Sequence, residues 1–336
     1  MNLLDVQALR IELQTHRGPA VAVRDAGFSL ARGDTLGLVG ESGCGKSLTA
    51  MALMGLLPEG AAVSGSIRLD GQELVGLPET GWTALRGNRI GMIFQEPMTA
   101  LNPVHTVARQ VAEPLRLHRG LSARQAREEA IALLDRVGIP DAARRADAYP
   151  HQFSGGQRQR ITIAMALACG PDLLIADEPT TALDVTVQKQ ILDLIQELVA
   201  ERGMALLLIS HDLGVIARSV ARTMVMYGGS VVESGPTTRV FAQRRHPYTQ
   251  GLFNARPALL APRGQRLTTI AGTVPELVDL PAGCPFAGRC AYTAPDCYPS
   301  SPAVTDLGAG HHVRCLQLDA IAAGSPSPTS LHAGVS

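Results

Sequence analysis

A glycine-rich run at residues 40–47 has the composition of a phosphate-binding loop. The run matches the pattern G-x-x-x-x-G-K-S and consists of Gly40, Glu41, Ser42, Gly43, Cys44, Gly45, Lys46 and Ser47. Glycines let several backbone N–H groups turn toward one point and donate to phosphate oxygens, and a helix N-terminus adds its positive dipole end. The pattern predicts that Lys46 reaches the β- and γ-phosphates of a nucleotide and that Ser47 is a ligand of Mg²⁺. Leu48, the next residue, is included in the predicted nucleotide site.

Two carboxylates end an apolar run at residues 173–178. The run predicts a buried strand that ends in Asp177 and Glu178. Ligands of open parallel sheets bind at the carboxyl ends of the strands, so Asp177 is suited to hold Mg²⁺ directly or through water. Glu178 points elsewhere and is predicted to polarise an attacking water. Alone, the run is more typical of an ordinary strand followed by a charged turn, but together with the phosphate loop it favours the catalytic interpretation.

A second candidate anion site precedes the helix-like segment at 158–168. Ser154, Gly155, Gly156 and Gln157 place a serine and two glycines at a helix start, where free N–H groups bind anions. One nucleotide does not need two such loops from one chain. We therefore expect this loop to serve a nucleotide bound to a second subunit.

The elements that must position these residues predict an α/β fold. A short buried strand at 35–39 leads into the phosphate loop, and residues 48–57 are helix-compatible. Residues 121–137 have apolar side chains at helical spacing, with Ser122 as a candidate N-cap and Gly138 as a candidate stop. Strand and helix patterns then alternate at 173–176, 187–201 and 205–210, which predicts a mostly parallel sheet with covering helices. Residues up to about 32 alternate enough to suggest strands as well.

Composition excludes several classes of protein. The chain has 336 residues, is 46% hydrophobic and has zero formal net charge, so we expect no nucleic-acid partner. No run of about 18 apolar residues predicts a transmembrane helix. The first ten residues do not have the pattern of a signal peptide, so we expect the chain to stay in the cytosol.

The ordered set of motifs resembles the ATPase subunit of ABC transporters over about residues 3–257. The motifs are the phosphate loop, Gln95, and the segments 153–157, 173–178, 181–184 and 210–212. The resemblance implies a P-loop NTPase core that binds ATP, with a helical subdomain at about 97–168. It also implies that Gln95 contacts Mg²⁺ and reports the nucleotide state to membrane subunits.

The same resemblance implies roles for residues near the γ-phosphate. His211 resembles the histidine that contacts this phosphate, and Asp184 resembles the aspartate that crosses the interface between two ATPase subunits. Ser154 and Gly156 resemble the residues that close over the partner's nucleotide. An aromatic residue that often stacks on adenine is missing from Thr15, His16, Arg17 and Gly18, so either His16 or Arg17 is expected to stack instead.

Three further segments narrow the resemblance to ATPases of oligopeptide, dipeptide and nickel importers. They are residues 95–103, the His-Pro-Tyr-Thr segment at 246–249 and the Cys-Pro-Phe-Ala-Gly-Arg-Cys segment at 284–290. The resemblance implies import of peptides, with nickel or metal-chelate import as the alternative and an exporter or soluble ATPase less favoured. It implies as partners a second, related ATPase chain, two transmembrane permease subunits and an extracytoplasmic solute-binding protein. The expected location is the cytoplasmic face of the cell membrane, as a peripheral subunit.

Four cysteines near the C-terminus predict a metal-binding module. Cys284, Cys290, Cys297 and Cys315 follow the spacing C-x5-C-x6-C-x17-C. Four thiolates are enough for one [4Fe–4S] cluster. Zinc is the runner-up, because the tight cysteine pairs that are usual in structural zinc sites are absent. Unrelated buried thiols remain an alternative, as do ligands from His311 or His312. We divide the chain into an ATPase domain at 1–255, a Cys-rich module at 256–321 and a disordered tail at 322–336.

Overall fold

The computed structural model describes residues 2–95, 100–181, 183–255 and 270–324. Within this part of the chain, the strands are β1 (Leu4–Thr15), β2 (Gly18–Leu30), β3 (Thr35–Val39), β4 (Ala62–Leu69), β5 (Gln72–Glu73), β6 (Ile90–Ile93), β7 (Leu173–Asp177), β8 (Ala205–Ile209), β9 (Arg222–Tyr227), β10 (Ser230–Pro236), β11 (Thr305–Asp306) and β12 (His312–Val313). The helices are α1 (Lys46–Met54), α2 (Glu79–Leu85), α3 (Val107–Arg119), α4 (Ala123–Arg136), α5 (Ala142–Arg145), α6 (Gly155–Leu167), α7 (Val185–Arg202), α8 (Leu213–Ser219), α9 (Thr237–Gln243), α10 (Pro247–Asn254) and α11 (Leu318–Ala322). Among the described residues, no helix is long and apolar enough to cross a bilayer.

The main sheet has the strand order β11-β12-β10-β9-β3-β8-β7-β6. The neighbours from β9 to β6 pair in parallel, which confirms the α/β prediction. In β7 and β8 every residue is buried. Leu174 and Leu206 pack in one core cluster while Leu173 and Leu207 pack in the other, because successive side chains of a strand point to opposite faces. Covering both faces explains why these strands are continuous apolar runs.

A second, antiparallel sheet has the order β2-β1-β4-β5. Strands β1 and β2 form a long hairpin, paired from Leu4 opposite Leu30 to Thr15 opposite Gly18. The sequence indicated only short strand fragments here. Register shifts interrupt the pairing between Val6 and Glu12. Such irregularities break the alternation of polar and apolar residues on which a strand prediction depends.

The helical part of the chain, α3 to α6, agrees with the expected helical region, whose first residues 97–99 lie outside the described residues. Ser122 caps α4 in a capping box with Gln125, and Gly138 follows the helix with a φ of 79°. Both signals were predicted from the sequence. They are local, because a hydroxyl satisfies a free N–H at one helix end and a glycine adopts the left-handed conformation after the other.

The C-terminal segment continues the main sheet. Strand β12 pairs with β10, which places Val313 opposite Glu233. The rest of residues 270–324 consists mainly of turns and short 3₁₀ helices at Leu277–Asp279, Ala287–Arg289 and Pro295–Cys297. The three antiparallel strands β10, β11 and β12 are therefore an addition to the parallel sheet that the sequence did not indicate. The predicted tail at 322–336 begins in α11, and from residue 325 onward it lies outside the described residues.

Candidate functional site

The phosphate loop joins β3 to α1, and its glycines are required by backbone shape and by close packing. Gly43 and Gly45 have φ values of 78° and 103°, a region that only glycine adopts without strain. A Cβ atom on Gly40 would lie 2.2 Å from the backbone oxygen of Met226, and one on Gly45 would lie 2.7 Å from that of Ala22. The loop is thus held against β2 and β9 by contacts that leave no room for a side chain.

Lys46 begins α1 and lies inside the loop. Its side chain is buried, and Nζ donates to the backbone oxygens of Gly40 at 2.8 Å and Glu41 at 3.0 Å. The helix has Gly45 as its N-cap and no side-chain capping bond. The free N–H groups of its first turn therefore face the loop, as an anion-binding helix start requires.

Asp177 ends β7 and is 4% exposed. Its Oδ1 atom has no hydrogen-bond partner among the described residues. Burial raises the pKa of Asp177, whereas a hydrogen bond with Ser47 lowers it. A buried carboxylate oxygen without a partner, beside a serine hydroxyl, is a donor set that suits Mg²⁺, which prefers oxygen ligands. Ser47 and Asp177, two of the three residues predicted to hold the metal, therefore lie together and fit it. The third, Gln95, is hydrogen-bonded to Glu178, the residue after Asp177.

Three side chains converge on the Oε2 atom of Glu178. Gln95 Nε2 donates to it at 3.2 Å, Thr181 Oγ1 donates to it at 3.0 Å, and His211 Nδ1 lies 3.1 Å away. Glu178 itself has a φ of 46°, which is uncommon for a residue with a side chain and concentrates at functional sites. Thr181 was part of a motif, yet the sequence assigned it no role, because nothing local shows that its hydroxyl reaches Glu178.

The Ser154 loop is a helix start with two glycines. Ser154 caps α6, because its Oγ accepts from the N–H of Gln157 at 3.3 Å and its own N–H donates to the Gln157 side chain at 3.2 Å. A Cβ atom on Gly156 would lie 2.7 Å from Cγ1 of Val187, at the start of α7. Asp184 caps that helix by accepting from Thr186 and Val187. The loop and Asp184 are therefore adjacent.

The predicted site residues thus form two groups. The phosphate loop, Asp177, Glu178, Gln95 and His211 belong to the first group, and the Ser154 loop with Asp184 to the second. Within the described part of the chain, the hydrogen bonds of Ser154 and Gln157 stay in their own loop or reach Arg145. None of them reaches the phosphate loop.

The expected base-stacking segment lies beside the phosphate loop. Arg17 forms ion pairs with Glu276 and Asp279, so its guanidinium is engaged elsewhere. His16 lines a cavity of about 440 Å³ together with Ser42, Gly43 and residues 274–278. Of the two stacking candidates, His16 is the one that lines this cavity beside the phosphate loop.

The predicted [4Fe–4S] site is not supported. All four cysteines are free, and burial raises the pKa of Cys284 to about 12 and that of Cys290 to about 11, with smaller contributions from the neighbouring thiols. However, no group of three or more His, Cys, Asp or Glu in residues 2–95, 100–181, 183–255 and 270–324 could hold a metal ion. The cysteine spacing shows that four thiol donors are present, but it does not determine how they are arranged in space.

The two histidines considered as alternative ligands have other partners. His311 is fully buried, with Nε2 2.8 Å from Glu233 and Nδ1 3.2 Å from Gln243. His312 lies 3.9 Å from Asp306. His311 thus joins the C-terminal segment to β10, and neither residue is part of a metal site.

Two family models match this chain. One describes an ABC transporter and matches residues 23–181. The other describes the C-terminal region of oligopeptide and dipeptide transporters and matches residues 232–297. The first match contains the phosphate loop, the Ser154 loop and the carboxylates that end β7.

Relatives and solved structures agree with these models. A putative peptide import ATP-binding protein of Brucella melitensis is 51% identical, over 96% of this chain and 98% of its own length. A protein of Brucella abortus with the same description is 50% identical over 93% of this chain and 94% of its own.

Among solved structures, a dimeric ATP-binding cassette bound to ADP and Pi has a TM-score of 0.63 at 27% identity, and it covers 70% of this chain and 98% of its own. A cbiO1 protein from Clostridium perfringens, described as part of an ABC transporter complex, has a TM-score of 0.60 at 27% identity and covers 72% and 92%. The chain therefore belongs to the ATP-binding proteins of ABC transporters, in the group with the oligopeptide and dipeptide C-terminal region.

Proposed function

We propose that this chain binds and hydrolyses ATP to drive the import of dipeptides or oligopeptides across the cytoplasmic membrane. The observation that carries the proposal is the convergence of Gln95, Thr181 and His211 on Glu178, next to Asp177 and the phosphate loop. The choice of peptides rests on the relatives, which are described as peptide import ATP-binding proteins.

Phosphate binding is assigned to the loop and to the start of α1. The N–H groups of residues 40–47 donate to the phosphate oxygens, except that of Glu41, which donates to the hydroxyl of Tyr248, and Leu48 continues this contact along the helix. Lys46 exchanges its bonds to Gly40 and Glu41 for the β- and γ-phosphates. Ser47, Asp177 and Gln95 hold Mg²⁺, which neutralises charge on the phosphates when it is bound.

Water activation is assigned to Glu178. Its carboxylate is 15% exposed and is oriented by neutral donors from Gln95 and Thr181. A base held in this way accepts a proton from a water aligned with the γ-phosphate. Contact with that phosphate is assigned to His211, whose side chain is 65% exposed.

The Ser154 loop and Asp184 supply the second half of a site on another ATPase subunit. The Ser154 loop lies at a helix start, where N–H groups and the helix dipole favour an anion, and Asp184 caps the neighbouring helix as an acceptor. Among the described residues, no hydrogen bond of the Ser154, Gln157 or Asp184 side chains reaches the phosphate loop. ATP then favours the closed pair because it contacts both halves only when they meet. The solved cassette that was described as dimeric with ADP and Pi supports this arrangement.

A complementation experiment tests the two half-sites. Lys46→Ala disables the phosphate loop, and Ser154→Arg places a bulky cation at an exposed position of the other loop. If two copies of the chain form the sites between them, mixing the inactive variants restores ATPase activity, because one of the two sites carries neither substitution. If the wild-type chain is active and the mixture of the two variants stays inactive, this result contradicts sites that are shared between two copies of the chain.

The finer proposals concern location and partners. We place the chain peripherally at the cytoplasmic face of the membrane, with a related second ATPase, two permease subunits and an extracytoplasmic solute-binding protein. Uptake of radiolabelled dipeptides and oligopeptides is measured in cells that lack the chain, with nickel-63 uptake measured in parallel. The proposal requires peptide uptake to return with the wild-type chain and not with Lys46→Ala. Selective loss of nickel uptake would favour the metal importer instead.

The [4Fe–4S] cluster is retained only as a proposal about the four cysteines. It is motivated by the four-cysteine spacing and by N–H bonds from Tyr292 to the sulfur of Cys290 and from Gln317 to that of Cys315. No step of ATP hydrolysis depends on it. Iron and sulfide analysis of anaerobically purified protein tests it: about four irons per chain would support a cluster, and colourless protein with stoichiometric zinc would reject it.

A further inference from the structure

Glu41, the second residue of the phosphate loop, is held through each of its polar groups. Its backbone oxygen accepts from Lys46, and its backbone N–H donates to the hydroxyl of Tyr248 at 2.7 Å. Its carboxylate accepts from both terminal nitrogens of Arg289, at 2.8 Å and 3.3 Å. Two of these partners, Tyr248 and Arg289, lie 207 and 248 residues further along the chain.

Arg289 is held by contacts outside the phosphate loop. It ends a 3₁₀ turn at Ala287–Arg289, and its side chain is 6% exposed. Its Nε donates to the backbone oxygen of Ala271 at 2.9 Å, and its guanidinium lies 5.7 Å from the ring centre of Tyr227 and 6.0 Å from that of Phe286. Hydrogen bonds and ring contacts on several sides hold the planar guanidinium in one orientation. It therefore loses little freedom when it binds a carboxylate through two N–H groups.

Two motifs of the sequence thus meet at one residue of the phosphate loop. Tyr248 comes from the His-Pro-Tyr-Thr segment, and Arg289 lies between Cys284 and Cys290 in the cysteine segment. The rings of Tyr227, Tyr248 and Phe286 pack together, with centres 4.7–5.4 Å apart. This aromatic cluster joins β9, α10 and the C-terminal segment directly behind the loop.

We propose that Arg289 is a positioning residue for the phosphate loop, so that the C-terminal segment sets the affinity for nucleotide. The fork of Arg289 fixes the carboxylate of Glu41, and the hydroxyl of Tyr248 fixes its backbone N–H. Breaking this part-buried pair frees the loop at the residue next to Gly40. The inference rests on the proposed function, in which this loop binds nucleotide phosphates.

The test is the dissociation constant of MgADP for the full chain, measured by isothermal titration calorimetry. Arg289→Gln is expected to raise it about tenfold, which corresponds to about 1.4 kcal/mol. The KM for ATP rises similarly, while kcat at saturating ATP stays within about threefold, because Arg289 does not contact the reacting atoms. Arg314→Gln is the matched control, since the Arg314–Asp25 pair at 2.7 Å also joins the C-terminal segment to the core. The control lowers the melting temperature without changing nucleotide affinity.

A double-mutant cycle separates positioning from general destabilisation. Glu41→Gln and Arg289→Gln act through one contact, so the double variant should bind MgADP no more weakly than the weaker single variant. Full additivity, or an Arg289→Gln protein that binds within twofold of wild type, overturns the inference. If Arg289→Gln does not fold, Glu41→Gln decides alone, and affinity within twofold of wild type overturns it. A wild-type chain that binds no MgADP refutes the proposed function instead.

Discussion

Replacing Glu178 by glutamine removes a carboxylate and keeps its shape. Gln95 and Thr181 are neutral donors, so both can donate to the amide oxygen of the new side chain. What is lost is a group that can take a proton from water. General bases contribute about 10²–10⁴-fold to a rate, so kcat should fall by that factor, or about 2.7–5.5 kcal/mol in activation free energy.

Nucleotide binding should survive this substitution. The phosphate contacts are assigned to residues 40–47, which Glu178 does not touch among the hydrogen bonds described. The charge of Glu178 also raises the pKa of Asp177, although burial is the larger cause. Its removal therefore favours the charged form of Asp177 and does not weaken the magnesium site. We expect the dissociation constant for MgATP to change by less than about threefold, or about 0.7 kcal/mol.

The assay is steady-state phosphate release, measured together with equilibrium binding of MgATP. Asp193→Asn is the control, because it removes a carboxylate that is 56% exposed on α7 and paired only with Lys189 among the described ion pairs. The control should keep full activity. A Glu178→Gln protein with kcat within a factor of ten of wild type would refute the assignment of the base. Equal losses in binding and in kcat would show a structural role instead.

Three further predictions concern the same site. Gly40→Ala forces a Cβ against the backbone oxygen of Met226 and should lower the free energy of unfolding by about 1–3 kcal/mol; an unchanged urea midpoint would contradict this. Burial raises the pKa of Asp177, so its contribution favours the folded state at low pH and is lost as pH rises through that raised pKa. Asp177→Asn should therefore raise the melting temperature at pH 7 without magnesium and flatten its dependence on pH, and a lower melting temperature would count against the buried charge. His16→Ala should weaken ATP binding about tenfold, consistent with loss of one stacked base, and leave tripolyphosphate binding unchanged; equal losses for both ligands would exclude base contact.

Local patterns account for the features that the sequence predicted well. The phosphate loop, the carboxylates after β7 and the capping of α4 by Ser122 each depend on neighbours within a few residues. Each of them forms at a helix end or a strand end, where residues that are adjacent in the sequence determine the local geometry. Fold class and the first group of site residues could therefore be predicted from motif order.

Long-range contacts account for the features that it did not predict. Arg289 and Glu41 are separated by 248 residues, and no local signal connects them. The pairing of β12 with β10 likewise depends on His311, which is buried against Glu233 some 78 positions away. The cysteine spacing was read as a cluster because four donors are enough for one. Their arrangement depends on turns whose geometry the spacing does not contain.

The exposure of the site residues gives the strongest reason to expect a second subunit. Lys46 and Asp177 are 6% and 4% exposed, so the phosphate and metal side of the site is built into the core. His211, in contrast, has a side chain that is 65% exposed, although it touches the same Glu178 that is predicted to activate water. Closing this side and expelling bulk water strengthens the electrostatic interactions that stabilise the transferred phosphoryl group. Ser154 has the opposite properties, since its Oγ accepts from the N–H of Gln157 and its hydroxyl proton has no acceptor among the described hydrogen bonds, so it is available to an anion. The surface at His211 is exposed to solvent, and the surface at Ser154 can bind an anion. Contact between two subunits would bury the first surface and bring the nucleotide phosphates to the second.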